Sequence, residues 1–458
     1  MIQGSIRIIE TLYLILIPQD NQQTVNNMIK MFFTRRLKPL LFALIAILAM
    51  PANAVLEIDI TEGVIGGIPI AVVPFLNSQS VPQDVTNVIS SDLARSGRFD
   101  VIPETDFLNR PTDAADVSFK DWRLLKADAL VVGKILPSAS GYQVSFQLMD
   151  VGRGLTIEGR SFNVPENRLR VVGHHISDII YQAMTGKPGA FNTWIAYVTR
   201  SGSKYELQIA DSDGYDPQSI RTSSEPIIAT AWSPDGRNVA YVELNKGRST
   251  IWIQDLAAGQ RRAVAQFKGN NSSPAFSPDG RRLAMSLSKD GNPEIYVMDL
   301  ATSALTRITR DRAIDTEPSW SPDGRSLLFT SGRSGKPQIY KVSAAGGSAQ
   351  RVTFQGKYNA KASYSPDGTK ITLITNQGQG DRIGLLDVKT GVIQQLTKSD
   401  LDESPSFALN GEMVLYATKA GGSGVLSVVS DLGRVAQTLR VQQGDVREPA
   451  WSPVYRKL

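Results

Sequence analysis

The chain of 458 residues contains no cysteine. That absence excludes disulfides, thiolate metal sites, a cysteine nucleophile and a lipidated N-terminal cysteine. Histidine is nearly as scarce, with only His174 and His175. Adjacent residues on a helix point about 100° apart, so the two cannot share one metal. No cysteine or acid cluster surrounds them in the sequence, and the expectation is one partly packed and one solvated histidine. Charge is also modest, at 20% of residues with a formal balance of +5. Residues 1–54 hold five of the basic groups (Arg7, Lys30, Arg35, Arg36, Lys38) against Glu10 and Asp20, which leaves about +2 on the rest. That is too little to argue for a nucleic-acid partner. A hydrophobic content of 41% describes an ordinary globular chain, long enough for two or three domains.

The longest apolar run near the start is short, and its flanks give it a meaning. From Met31 the sequence reads MFFTRRLKPLLFALIAILAMPANA. Arg35, Arg36 and Lys38 form a basic region, Leu40–Met50 an apolar run of eleven residues, and Ala52-Asn53-Ala54 a small-x-small cleavage site. The run is too short to span a bilayer comfortably, so residues 31–54 read as a signal peptide and the mature chain begins at Val55. Residues 1–30 precede this start-like Met31 without signal character and read as an over-extended gene start. A cysteine-free exported chain suits a periplasm that oxidises thiols.

Residues 67–187 read as one α/β domain. IPIAVVPF (Ile68–Phe75) is a short apolar strand, and Val85, Val88, Ile89 and Leu93 fall at helical spacing. A strand near Phe99–Ile102, the run ADALVVGKIL and a hairpin turning through MDVGRGLT follow. A second helix places Leu169, Val172, Ile176, Ile179, Ile180 and Met184 on one face and stops at Gly186-Lys187-Pro188-Gly189. Gly63-Val64-Ile65-Gly66-Gly67 precedes a strand instead of following one, so it is no phosphate loop.

The remaining residues, 188–458, repeat. AWSPDGRNVAYV returns as AFSPDGRRLAMS, SWSPDGRSLLFT and SYSPDGTKITLI, with the turn aspartates Asp235, Asp279, Asp323 and Asp367 each 44 residues apart. SFALNGEMVLYA is a degenerate copy with Asn410 in the aspartate's place, and PAWSP near Trp451 is a lone lead-in. A period in the forties with four strand-like runs per unit predicts a β-propeller. Five units plus one blade assembled from the first and last segments predict six blades, closed without a free sheet edge. In each turn Pro presets φ, Asp bonds its local backbone and Gly takes the left-handed conformation. The preceding aromatics (Trp232, Phe276, Trp320, Tyr364, Phe407, Trp451) are suited to packing between blades. The Ser-Pro-Asp-Gly residues therefore read as scaffold.

A propeller hosts many functions. The strongest alternative is an exported propeller hydrolase, a peptidase or glycosidase. A peptidase of this kind needs G-x-S-x-G with a later Asp and His, and no histidine follows His175. Gly421-Gly422-Ser423-Gly424-Val425 fails that motif at its last place. Asp235-Gly236 are adjacent, unlike the spaced Asp and Gly of a sialidase box, and no sequence feature singles out a carboxylate pair for glycoside chemistry. No catalytic residue is expected.

From Val55 to the C-terminus the chain resembles the TolB family, the periplasmic component of the Tol-Pal cell-envelope system. IPIAVVPF, YVMDLATS, DTEPSWSPDG, GKPQIYKV and the terminal EPAWSP carry the resemblance. FALNGE departs from it, where the family repeat has SPDG. The resemblance implies a periplasmic, monomeric, non-enzymatic adaptor supporting outer-membrane integrity and constriction at division. Its implied partners are Pal, a peptidoglycan-associated outer-membrane lipoprotein through which the adaptor sits peripheral to that membrane, and TolA, anchored in the inner membrane. No cofactor or metal is implied, although clustered rim acids of this kind can hold a cation.

The family's mature N-terminus binds TolA, which carries over onto Val55, Leu56, Glu57, Ile58, Asp59, Ile60, Thr61 and Glu62 within residues 55–66. The apolar–acidic alternation there is that of a strand able to add to a partner's sheet edge. The family also implies a switch, in which Pal binding tucks this segment away and its release offers it to TolA; that requires the two ligands to favour different states. For Pal, geometry points to the loops entering the inner strands, which converge on the channel opposite the SPDG turns. The candidates are Asn270, Asn271, Ser272, Asp315, Thr316, Glu317, Asn359, Lys361, Asp402, Glu403, Arg447 and Glu448.

Overall fold

The computed structural model describes residues 66–77, 80–439 and 444–458. The signal peptide expected over 31–54 and the segment Val55–Glu62 lie outside the described residues. The first sheet has the order β2-β1-β3-β4-β5, with β1 (Ile68–Val72), β2 (Phe99–Val101), β3 (Ala129–Ser138), β4 (Gly141–Asp150) and β5 (Leu155–Val164). β1 pairs parallel with β2 and β3, while β3, β4 and β5 form antiparallel hairpins. The parallel step is made through α1 (Val85–Arg95), which starts where the Asp84 side chain accepts the Asn87 amide. α3 (Leu169–Thr185) ends at Gly186, whose φ of +76° caps the helix in the left-handed region. A short helix missing from the sequence reading, α2 (Phe119–Leu124), covers the other sheet face with buried Trp122. Its six residues are too few to show a period.

The remaining sheets are six four-stranded blades. Five run inside to outside in chain order. The sixth is composite, because the C-terminal strand Asp445–Tyr455 is its innermost member and pairs with Thr193–Ser201. The expected closure is therefore the observed one, and it joins residues about as far apart as Arg200 and Asp445. Trp232 Nε1 donates across a blade boundary to the Ala450 carbonyl at 3.0 Å, and Trp320 Nε1 to Ala275 at 3.0 Å. Their rings fill the wedge between neighbouring blades and satisfy their one donor at the same time.

The SPDG turns are internally satisfied. Ser233 Oγ donates to Asp235 Oδ1 at 2.6 Å, that same oxygen accepts the Arg237 amide at 3.1 Å, and Gly236 N–H closes the turn on the Ser233 carbonyl at 2.9 Å. Gly236 needs its φ of +68°, and a Cβ there would also collide with Val454 of the closing strand. The same serine–aspartate bond recurs at Asp279, Asp323 and Asp367.

The two domains share one hydrophobic core. Val85, Ile89 and Leu93 of α1 and Val172, Ile176 and Ile180 of α3 pack in one cluster with Ile195 and Tyr197 of the composite blade and Met413, Leu415 and Val428 of the blade before it. The degenerate turn is where the α/β domain docks. Glu412, standing where the other turns carry Arg237, Arg281, Arg325 or Thr369, accepts from Lys187 Nζ at 2.5 Å, from Arg98 Nη2 at 3.1 Å and from the Tyr181 hydroxyl. Asn410 Nδ2 donates to the Pro188 carbonyl at 3.1 Å, and Arg98 also reaches Asp431 at 2.8 Å. FALNGE, which departs from the repeat in the sequence, is an interface in the structure.

Asp235→Ala removes the acceptor for one hydroxyl and one amide in a turn that is one of four alike. It is expected to cost about 1 kcal/mol in urea unfolding, the net worth of such a bond, without altering the blade count.

Candidate functional site

The inner strands surround the propeller axis, and each contains the same irregularity. Pairing with the second strand slips between Thr316 and Ser319, between Ala360 and Ser363, between Glu403 and Ser406, and at the matching place in the other three blades. At each slip sits a non-glycine residue in the left-handed region: Ala229, Ser273, Glu317, Lys361, Ser404 and Glu448, with φ between 51° and 57°. One such residue is uncommon and costs of order 1 kcal/mol; six at equivalent positions form a ring held by the closure of the blades.

Half of the ring is charged: Glu317, Lys361 and Glu448. Lys361 Nζ lies 2.7 Å from Glu448 Oε2 and 2.6 Å from Ser404 Oγ, so it reaches two blades onward around the channel. Glu317 Oε2 accepts the Lys361 amide at 2.9 Å and the Thr330 hydroxyl at 2.7 Å. Thr230 Oγ1 donates to the Glu448 carbonyl at 2.5 Å. Lys361 and Glu448 keep 31% and 21% of their side-chain surface open to the channel. Burial works to lower the Lys361 pKa, but Glu448 and Glu317 outweigh it and hold the ammonium on. Burial raises Glu448, yet Lys361 brings it below the usual carboxylate range. Glu403 goes the other way, pushed up by burial and then by Glu448 beside it. Lys361 supplies these carboxylates with a cation from the chain itself.

The expected contact residues divide in two. Asn271, Asp315, Asn359 and Asp402 are buried, and their side chains do not reach the face of the propeller. Asn271 Nδ2 donates to the Ser249 and Phe267 carbonyls, Asp315 pairs with Arg333 at 2.6 Å and accepts from Ser331, Asn359 Nδ2 donates to Gln338, and Asp402 accepts from Thr397 and Ser399. They brace the loops, because a strand-entry position buried in every blade must satisfy its polar group locally. Asn270 and Arg447 are exposed, and Ser272, Thr316, Glu317, Lys361, Glu403 and Glu448 are half-buried around the mouth. Ala229, Ser273 and Ser404 complete the ring but were absent from the expectation, as their residue types carry no signal. The recurrence of Pro274, Pro318, Pro405 and Pro449 just after the ring position was the available mark.

The histidines also differ from expectation. His175 is half-buried, edge-on to Phe162 at 5.4 Å between ring centres. His174 is fully buried among acids: Nδ1 lies 2.7 Å from Asp92 Oδ2, and Nε2 lies 3.8 Å from both Asp211 Oδ2 and Asp213 Oδ2. Those acids come from 82 residues upstream and beyond the domain linker, so no local pattern announced them. His174, Asp211 and Asp213 bring their ligand atoms within 4.8 Å of one another. Arg170 pairs with Asp213 and Arg456 with Asp211, so both propeller carboxylates are engaged in an ion-pair cluster.

The α/β domain docks at the turn end of the last two blades, and among the described residues it makes no contact with the strained and charged ring at the opposite mouth. Such a chain is a two-domain protein, a six-bladed propeller with an α/β domain seated on its turn end. Residues 181–455 match the model of the TolB beta propeller domain and residues 56–157 that of the TolB amino-terminal domain. The chain is 59% identical over 408 residues to the Tol-Pal system protein TolB of Methylobacillus flagellatus, covering 88% of this chain and 94% of that one. The corresponding protein of Nitrosococcus oceani is 60% identical over 407 residues, covering 87% and 94%. The crystal structure of TolB from Acinetobacter baumannii superposes with a TM-score of 0.81 at 41% identity, covering 87% of this chain and all of that one. The chain belongs to the TolB family.

Lys361→Met strands Glu317, Glu403 and Glu448 without their cation. The variant is expected to lose roughly 2 kcal/mol at pH 7, between the values for exposed and buried pairs. Because Glu448 then loses the partner that lowers its pKa, the deficit shrinks as pH falls and the carboxylates protonate; urea unfolding at pH 7 and pH 4.5 measures both.

Proposed function

We propose that this protein is a non-enzymatic periplasmic adaptor of the Tol-Pal system, binding Pal at the open channel mouth and TolA through Val55–Glu62. The observation that carries the reading is the asymmetry of the two propeller faces. At the turn face, each serine and aspartate is bonded within its own turn, Glu412 docks the α/β domain, and the charge left over is the single sign of the exposed Arg237, Arg281 and Arg325. At the other, Glu317, Lys361, Glu403, Arg447 and Glu448 remain partly open and charged around a strained ring. Mixed charge on a preformed concave surface favours recognition of a complementary protein surface and its register.

An adaptor, and not an exported hydrolase, is further supported by the bonding of the repeat serines and the place of the histidines. Ser233, Ser277, Ser321 and Ser365 each donate to their own turn aspartate, and both histidines lie on α3 in the other domain. As an adaptor anchored through a lipoprotein partner, the protein sits peripheral to the outer membrane as a monomer and supports envelope integrity and constriction.

The test is a pull-down from envelope extract with three forms of the mature chain. Deletion of Val55–Asp59 is expected to abolish TolA capture and leave Pal capture intact. Glu317→Lys is expected to weaken Pal binding roughly tenfold or more, as at other central interface positions. Asp235→Ala at the turn face is expected to leave both unchanged. Loss of Pal with folded Asp235→Ala would invert the assignment of faces, and TolA capture by the deletion variant would remove the N-terminal assignment.

A further inference from the structure

The joint between the domains holds a dense group of buried charge that none of the partner contacts requires. From α1 come Asp92 and Arg95, bonded to each other at 2.7 Å. From α3 come Arg170, His174 and Asp178. The composite blade supplies Asp211 and Asp213, and the end of the closing strand supplies Arg456, which pairs with Asp211. Arg170 pairs with Asp213 and approaches Asp211 at 3.5 Å. Arg95 also donates to Ser212 at 3.2 Å, and Ser212 in turn to the Phe191 carbonyl of the linker at 2.6 Å. Asp178 accepts the linker amides of Phe191 and Asn192 at 2.8 and 3.1 Å.

Four carboxylates thus face three guanidiniums. His174 stands between the charges of the two domains, and its position makes an imidazolium there the bridging charge. One ring nitrogen is bonded to Asp92 of its own domain. The other, fully buried and without a hydrogen-bond partner, is aimed between Asp211 and Asp213 of the propeller at 3.8 Å. We propose that this cluster is a proton-operated latch: the protonated His174 holds the α/β domain against the propeller, and loss of its proton loosens the joint.

The sign follows from the surroundings. Burial works to lower the His174 pKa, but Asp92 and Asp213 outweigh it and hold it above the ordinary imidazole value. A histidine whose folded pKa is raised stabilises fully below its unfolded value of about 6.5 and loses that contribution as pH rises through the folded one. Asp178 adds a slope of the same sign. Burial pushes its pKa up to about 7, against the donated linker amides. Its ionisation therefore opposes the joint above pH 7, and that opposition fades as pH falls through 7. Both groups make the latch tightest in mild acid and weaker on the alkaline side.

The presence of only two histidines makes the test direct. NMR of the full mature chain with labelled histidine, titrated from pH 5 to pH 10, reads each protonation state. Hydrogen exchange at the Phe191 and Asn192 amides, corrected for intrinsic chemistry, reads the joint, with amides of a distant blade as reference. His174 is expected to titrate above His175, and linker protection to fall about tenfold more than the reference between pH 6 and pH 9. His174→Gln is expected to flatten that dependence and His175→Gln to retain it. A neutral His174 at pH 7 in the wild type overturns the proposal whether or not the variants fold. So does a His174→Gln protein whose linker is looser at every pH but keeps the wild-type slope.

Discussion

Everything in this molecule hangs on the pairing of Asp445–Tyr455 with Thr193–Ser201. A ring of blades has no free sheet edge only while its two ends are zipped together. The closing strand does more than shut the ring. At one end it contributes Glu448 to the channel, at its middle Ala450 receives the indole of the next blade, and just past its end Arg456 enters the buried joint. Tyr455 adds a hydrogen bond to Gly189 of the linker at 2.7 Å. The channel mouth and the interdomain cluster are therefore two ends of one β-strand, a stiff element about eight residues long between Glu448 and Arg456.

The two propeller faces obey opposite rules. At the turn face, repetition makes each Ser-Pro-Asp-Gly unit self-sufficient, with glycine absorbing the left-handed geometry. At the channel, left-handed geometry recurs without glycine, and side chains as different as alanine, glutamate and lysine occupy equivalent places. Backbone regularity with side-chain variety lets one scaffold carry a particular charge pattern, because the ring position is imposed by the fold and not by the residue that fills it.

How much of this was legible in the sequence depends on distance along the chain. The 44-residue spacing of Asp235, Asp279, Asp323 and Asp367 is a local, repeated signal, and the six blades follow from it. The helices α1 and α3 are legible from their apolar faces, whereas α2 is not, because its burial rests mainly on Trp122. At the channel, Glu317, Lys361 and Glu448 stand out as charges beside the inner-strand prolines, but Ala229 and Ser273 look ordinary. Asp315 and Asp402 look like surface acids, and only the packed loops show that they are braces. The joint is illegible because Asp92, His174, Asp211 and Arg456 meet only when the chain has folded.

The imperfect turn at Ala408-Leu409-Asn410-Gly411-Glu412 solves a problem that sixfold repetition creates. Equivalent turns would offer an attached domain the same polar groups at every blade. A single turn that lacks the self-bonded serine–aspartate pair and presents Glu412 instead gives the ring an address. Lys187, Arg98 and Tyr181 can read it at only one blade. The departure from the repeat thus marks the blade on which the α/β domain is seated, beside the composite blade to which the linker already ties it.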